Sequence, residues 1–366
     1  MKKLSILLTL FLIISVFLMG CNEQTNNEPA TETTSQETET ETEITETKES
    51  ALKVYTTIYP LEYFTKRIGG DHVDVTNIVP PGADGHTYEP TAKTMVDVAD
   101  SNAFIYTGAG IEGYADAINE ALKNEDVIIV KAADGIELIP HSENHEEHGH
   151  GEHEEEASHD EHEEEAAHDD HAHDEHEEEA GHEEHGEDAH NHGDLDPHVW
   201  LDPLLSIQLS ENILHVLEEL KPDAKADFEK NFNELKIELE QLDQEFKDTI
   251  ANSSTKEMIV AHAAYGYWEA RYGIEQISVS GLSPTNEPSQ QELTKIIDTA
   301  KEHKIKYVIF EQNVSTKIAE IIKNEIKAEA LTLHNLESLS EDDSSNNQDY
   351  FSLMKKNLET LKTALN

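Results

Sequence analysis

The sequence is poor in cysteine and in basic side chains. Cys21 is the only cysteine among the 366 residues, so no disulfide can form within the chain. Only 26 Lys and Arg residues stand against 78 Asp and Glu residues, which gives a formal net charge of −52. Such a chain would repel nucleic-acid phosphates and attract cations. It also lacks an HExxH motif, which argues against a zinc hydrolase of that type.

The amino-terminal segment combines positive charge with a long apolar run. Lys2 and Lys3 precede an almost unbroken apolar stretch at residues 4–19. The pattern predicts a secretory signal peptide over residues 1–20, with a membrane-spanning helix as the alternative because the run is almost long enough to cross a bilayer. Residues 18–21 (Leu-Met-Gly-Cys) resemble the lipobox of bacterial lipoproteins. We therefore predict cleavage before Cys21, lipidation at that residue and an extracytoplasmic position on the cell membrane.

Two further segments have compositions that do not favour a packed core. Residues 22–50 contain nine acids and one lysine, and together with Cys21 they predict a lipidated flexible tether over residues 21–50. Residues 141–194 contain 15 histidines and 24 acids in 54 residues, with no Lys or Arg. Histidine is largely uncharged at neutral pH and binds borderline metals such as Zn²⁺, so this composition indicates more than a solvated charged loop.

We expect the loop at 141–194 to be disordered and to bind metal weakly, because a flexible segment loses conformational entropy when it encloses an ion. Its function would be to capture zinc, while solubilisation or buffering remains the alternative. Its histidines recur in short clusters, and the auxiliary metal sites are predicted at His145, His148, His150, His153, His168, His171, His173 and His176.

The rest of the chain alternates short apolar runs with helical patterns, which is typical of an α/β fold with mostly parallel sheets. Helical patterns lie between the apolar runs at 91–99, 110–123, 289–303 and 316–328. Four predicted strands in a first block are matched by four in a second. The strands are predicted at 53–57, 73–79, 103–106 and 127–130, and at 257–261, 275–279, 307–310 and 330–333.

One long helix is predicted between the two blocks, over residues 221–250. Its apolar residues recur at intervals of three and four, which places them on one face. At 1.5 Å per residue the helix would reach about 40 Å, enough to run along both lobes. A coiled-coil dimer seam is the alternative, but only about three heptads are present, so packing on the protein's own lobes is favoured. The seam residues are Phe228, Phe232, Leu235, Leu239, Leu242 and Phe246.

Four side chains stand where open α/β sheets place their ligands. His86, His262 and Glu337 each lie at or just past the carboxyl end of a predicted strand, and His198 lies where the pattern resumes after the histidine-rich segment. Three neutral imidazoles and one carboxylate suit a four-coordinate Zn²⁺. Each residue alone would more often be a cap, a core residue or a surface acid. The metal-site prediction therefore depends on their convergence in a cleft between the lobes.

Three motifs resemble a known family, the zinc-specific solute-binding lipoproteins of bacterial ABC transporters, which are related to manganese-binding lipoproteins once described as adhesins. The motifs are 86–90 (His-Thr-Tyr-Glu-Pro), 196–203 (Asp-Pro-His-Val-Trp-Leu-Asp-Pro) and 262–268 (His-Ala-Ala-Tyr-Gly-Tyr-Trp) with 271–273 (Arg-Tyr-Gly). The resemblance covers residues 52–365, and the chain departs from it in the acidic loop at 141–194, which is unusually long. It implies two (β/α)₄ lobes, 51–220 and 251–366, joined by a rigid helix that permits only small lobe movements.

The resemblance also implies metal-ligating histidines at His86, His198 and His262. Manganese-binding members tend to carry a carboxylate where this chain has His262, so the histidine favours zinc. The fourth ligand varies between a carboxylate and water; Glu337 matches the carboxylate position best, and Glu311 is the reserve. The implied protein is a monomer that delivers Zn²⁺ to an ABC permease and is not an enzyme. A manganese-binding relative, a secreted zinc hydrolase and a surface scavenger or adhesin remain the alternatives.

Overall fold

The computed structural model describes residues 50–140, 195–312, 314 and 317–366. The predicted signal peptide, Cys21, the tether as far as residue 49 and the histidine-rich loop at 141–194 lie outside these residues, so those predictions remain untested. Among the helices of these residues, none combines the length and the hydrophobicity of a membrane span.

The first sheet is formed entirely by parallel strands in the order β2-β1-β3-β4. All four residues of the third strand are buried, as expected for a parallel sheet covered by helices on both faces. The strands are β1 (Leu52–Thr56), β2 (Val73–Asn77), β3 (Ala103–Tyr106) and β4 (Ile128–Lys131).

The second sheet repeats this arrangement, in the order β6-β5-β7-β8 and again with parallel pairing throughout. Four strands in each lobe confirm the predicted α/β class and the two-lobe architecture, with strand ends moved by one or two residues. The strands are β5 (Glu257–His262), β6 (Glu275–Ser280), β7 (Tyr307–Glu311) and β8 (Glu329–Leu333).

The helices connect and cover these strands. The helix predicted over 110–123 begins only at Ala115, because Gly108 and Gly110 adopt positive φ angles of 71° and 99° and form a loop after β3. The described helices are α1 (Tyr59–Gly69), α2 (Ala92–Ala99), α3 (Ala115–Leu122), α4 (Pro203–Leu220), α5 (Lys225–Ala251), α6 (Gly266–Tyr272), α7 (Gln290–Glu302), α8 (Lys317–Ile326), α9 (Glu341–Ser345) and α10 (Tyr350–Ala364).

Helix α5 is the long connecting helix, and its predicted apolar face is buried within the chain. It begins at Lys225 instead of at residue 221, because Lys221 has non-helical angles and residues Pro222–Ala224 form a short 3₁₀ turn. The helix packs against α1, α4 and α10, and so contacts elements of both lobes. Helix α4, which was not predicted from the sequence, packs along α5, so the connection consists of two helices side by side.

Candidate metal centre

His86 lies in the loop that follows β2. The backbone N–H of His86 donates to Asp84 Oδ1 at 2.8 Å, which fixes the turn that presents the imidazole. Gly85 allows close approach here, since a Cβ at that position would stand 3.2 Å from Ile111 Cδ1 and 3.5 Å from Glu337 Oε2. The His86 side chain is the most exposed of the four candidate ligands, at 10%, against 0–4% for the others.

His198 is held by the aspartate two residues before it. Asp196 Oδ1 accepts from the backbone N–H of His198 at 2.9 Å and from its ring Nδ1 at 2.8 Å. Tyr267 fixes this segment by donating its hydroxyl to the Asp196 carbonyl at 2.9 Å. Trp200, also fully buried, donates its indole N–H to the Asn335 carbonyl at 2.8 Å. The segment 196–200 is therefore bound to elements of the second lobe, which turns His198 towards the cleft.

His262 is the last residue of β5, and Glu311 is the last residue of the neighbouring strand β7. The imidazole Nδ1 donates to Glu311 Oε1 at 2.8 Å, and both side chains are fully buried. With Glu311 as the acceptor, the ring proton of His262 lies on Nδ1, and Nε2 faces His198 Nε2 at 3.4 Å. The structure thus places the reserve ligand Glu311 behind His262, outside the group of converging donor atoms.

Glu337 lies in the loop after β8, where it bridges the two lobes. Its Oε1 accepts from the Asn335 side-chain amide at 3.1 Å, and its Oε2 accepts from the Gly85 backbone N–H at 3.2 Å. The preceding residue, Leu336, has a φ of 64°, a left-handed conformation that is strained for a bulky side chain. His334 stabilises this turn by accepting the Leu336 N–H at 2.9 Å.

The four predicted ligands converge on one point. His198 Nε2 lies 3.2 Å from His86 Nε2 and 3.4 Å from His262 Nε2. Glu337 Oε1 lies 3.5, 3.7 and 4.0 Å from the Nε2 atoms of His86, His198 and His262. Ligand atoms about 2.0–2.1 Å from a tetrahedral Zn²⁺ would stand about 3.3–3.4 Å apart. The two separations from His198 Nε2 to the other imidazole nitrogens fit this spacing, while those to Glu337 Oε1 are somewhat longer.

The electrostatics of the metal-free site favour a positive charge at this point. Burial disfavours the charged form of His198, but Asp196 and Glu337 outweigh burial and raise the pKa of His198 to about 9. Burial also acts against ionisation of Glu337, yet hydrogen bonds from His198 and His86 hold the pKa of Glu337 well below its usual range. The site therefore retains a proton where a metal ion would be bound.

The residues that orient the candidate ligands were not predicted from the sequence. Asp196 could have been found, because it lies two residues before His198 in the motif at 196–203. Asn335 and Gly85 carry no signal of their own, since their contacts depend on how the loop after β8 meets the loop after β2.

Comparison with known proteins agrees with this geometry. Residues 54–364 match the family model described as "Zinc-uptake complex component A periplasmic", ZnuA. The chain belongs to the ZnuA family. It is 35% identical over 320 residues to the high-affinity zinc uptake system protein ZnuA of Bacillus subtilis, a match that covers 87% of this chain and 89% of that protein.

A second relative, AdcA of Streptococcus pneumoniae, is similar to the chain in sequence and in structure. Zinc-binding lipoprotein AdcA of Streptococcus pneumoniae is 31% identical over 362 residues, which cover 99% of this chain but only 61% of AdcA. The Zn(II)-bound ZnuA-like domain of AdcA superimposes with a TM-score of 0.65 at 29% identity, over 86% of this chain and 99% of that domain. The chain thus corresponds to the ZnuA-like part of the longer streptococcal protein.

Proposed function

We propose that this protein binds Zn²⁺ through His86, His198, His262 and Glu337 and delivers the ion to an ABC-type importer. The convergence of three Nε2 atoms within 3.4 Å of a neighbour, with one carboxylate oxygen, carries the proposal. Three nitrogens and one oxygen form a donor set that suits Zn²⁺, whereas manganese favours sites richer in oxygen. Zinc-uptake and zinc-binding relatives support the same cargo.

Transport suits this site better than catalysis. Catalytic zinc keeps one coordination position open for water or substrate, whereas four protein ligands leave no such position. The donor side chains are 0–10% exposed, so a bound ion would be enclosed instead of facing a substrate. We therefore infer a carrier that encloses its cargo until it meets the permease.

The family description supports an extracytoplasmic location. We propose that Cys21 is lipidated and anchors the protein to the cell membrane through the tether at 21–50. The histidine-rich segment at 141–194 would capture zinc in weak, rapidly exchanging sites and transfer it to the cleft. We also propose that the protein acts as a monomer when it delivers zinc to the permease.

Zinc titration against a competing chelator tests the cleft assignment. The unmodified chain should bind one zinc more tightly than all others, and His262→Ala should remove that tight site. His303→Ala is the matched control, because His303 lies in the same lobe, its side chain is 38% exposed, and its Nδ1 lies 2.9 Å from Glu257 Oε1, away from the four converging donors. Unchanged tight binding in His262→Ala would show that the ligand assignment is wrong.

Deleting residues 143–192 tests the capture role separately. The deletion should remove several weak zinc sites, leave the tight one, and slow growth of the bacterial strain only when zinc is scarce. Growth indistinguishable from that of the parent strain at every zinc concentration would rule out capture, and loss of the tight site would show that the segment belongs to the cleft centre.

A further inference from the structure

The Glu311 carboxylate lies behind His262, outside the four converging donor atoms. We propose that Glu311 is a positioning residue for zinc binding, which holds the His262 ring at Nδ1 so that Nε2 faces the metal position. This inference rests on the proposed zinc function. It replaces the earlier expectation that Glu311 is a reserve ligand.

The sheet register places Glu311 beside His262. Strands β5 and β7 are parallel neighbours, and Val260 is the register partner of Ile309. Two residues further along each strand, the same register brings His262 next to Glu311 at the carboxyl edge. Their contact is therefore set by backbone pairing in the centre of the sheet, which makes it rigid.

The contact lies on the side of the imidazole away from the other ligands. Glu311 Oε1 is 2.8 Å from Nδ1, whereas Nε2 faces His198 Nε2 at 3.4 Å. In this position Glu311 does not belong to the group of converging donor atoms. As an acceptor it instead forces the proton onto Nδ1 and leaves the Nε2 lone pair directed at the metal position.

The carboxylate of Glu311 is expensive for the fold to bury. Glu311 is 4% exposed, and its second oxygen, Oε2, has no hydrogen-bond partner among the described residues. A buried acceptor without a partner lowers stability, so the residue is poorly explained as a structural element of the lobe. Within the part of the chain that the structure describes, the Glu311 side chain hydrogen-bonds only to His262, a candidate ligand. A buried polar group that lowers the stability of the fold in this way is typical of a functional residue.

Asp243 provides a matched control. It is also a buried carboxylate, 5% exposed, but both of its oxygens have partners: Lys247 at 2.6 Å and the Tyr272 hydroxyl at 3.3 Å. It lies on α5, away from the four converging donors. Asp243→Asn should therefore lower the melting temperature of the metal-free protein without changing zinc affinity.

The test compares Glu311→Ala, Glu311→Gln and Asp243→Asn in the full chain. Zinc affinity of the tight site is measured by chelator competition, and the melting temperature is measured without metal. Loss of an outer partner of a ligating histidine typically weakens metal binding about 10–100-fold, which is the effect expected for Glu311→Ala. The melting temperature of Glu311→Ala should not fall. Glu311→Gln, whose amide oxygen can still accept from Nδ1, should recover part of the lost affinity.

X-ray absorption at the zinc edge separates positioning from ligation. Wild type and Glu311→Ala should give the same three nitrogens and one oxygen around the ion. Wild-type affinity in Glu311→Ala, a melting temperature that falls as in Asp243→Asn, or one oxygen fewer around zinc would each overturn the proposal. A different result, the absence of any tight zinc site in the wild-type protein, would contradict the proposed zinc function.

Discussion

The Gly85 backbone N–H donates to Glu337 Oε2 at 3.2 Å, which joins the loop that carries one predicted ligand to the side chain of another in the opposite lobe. Ser338 reinforces this junction by donating its hydroxyl to the Ala83 carbonyl at 2.6 Å, and Gly82 donates its N–H to the Leu339 carbonyl at 2.8 Å. The two lobes thus meet through hydrogen bonds of backbone groups beside the candidate metal centre.

A side chain at Gly85 should disturb this junction. Gly85→Val would place new methyl groups against Ile111 and Glu337, where even a Cβ stands at 3.2 and 3.5 Å. If this overpacking raises the free energy of the zinc-bound state by about 1–3 kcal/mol, zinc binding would weaken about 5–150-fold. Gly113→Val is the control, because a Cβ at Gly113 meets nothing within 4 Å. Zinc titration of the two variants should therefore differ, and equal affinities would contradict the close junction.

The four ligands should contribute unequally. His198→Ala removes one of three nitrogen donors, whereas water can replace the carboxylate oxygen lost in Glu337→Ala. We expect the histidine variant to lose more affinity than the carboxylate variant, and more than the about 10–100-fold typical of an outer partner. Chelator competition measures both. A larger loss for Glu337→Ala would mean that the carboxylate, and not the imidazoles, dominates binding.

Acidification should weaken zinc binding. In the metal-free site the pKa of His198 is raised to about 9, so below that pH the ion must displace a proton. Apparent affinity should fall by up to about tenfold per pH unit for each displaced proton as the pH decreases from 9. Chelator competition between pH 6.5 and 9, corrected for protonation of the chelator, checks this. Affinity independent of pH over that range would contradict it.

Stability of the metal-free protein should follow the opposite trend. The folded pKa of His198 lies above its usual value of 6.5, so its contribution is fully present below pH 6.5 and is lost as the pH rises through about 9. The melting temperature measured without zinc should therefore decrease as the pH rises from 6.5 to 9. This decrease should be smaller in His198→Ala. A decline of the same size in that variant would assign the effect to other groups.

The buried face of α5 should dominate the stability of the connection between the lobes. Phe246 is fully buried and stacks on Tyr272 with a centroid distance of 5.3 Å. Phe246→Ala should lower the free energy of unfolding by about 3–5 kcal/mol. Ile237→Ala on the same helix is the control, because Ile237 is 53% exposed and should change it by about 0.5 kcal/mol or less. Denaturant unfolding measures the free energy of unfolding of both variants. Similar decreases in the two variants would contradict the assignment of Phe246 to the buried face and of Ile237 to the exposed face.

Strand and helix patterns were sufficient to predict the two sheets and the long helix. The same reasoning identified His86, His262 and Glu337, because parallel strands present their carboxyl ends at one edge of a sheet. The structure brings these residues together with His198 within 4.8 Å. The assignment of all four as ligands remains a prediction, for which zinc binding by the variants is the test.

The position of Glu311 relative to the site could not be inferred from its own sequence neighbourhood. A carboxylate at the end of β7 can point into the cleft or towards the adjacent strand, and only the β5–β7 register decides between these directions. The late start of α3 was missed for a different reason. An apolar periodicity continued through residues 110–114, whereas the positive φ of Gly110 belongs to a loop.

The residues on either side of the long histidine-rich insertion are held together independently of it. Pro140 and Leu195 form an antiparallel bridge, and the Asp196 N–H donates to the Ile139 carbonyl at 2.9 Å. Each doubling of the length between such fixed ends changes the closure free energy by only about 0.6 kcal/mol. Evolution can therefore lengthen, shorten or recompose those 54 residues while His198, three positions beyond the bridge, keeps its place. The length and composition of this segment can therefore change without any adjustment of the cleft.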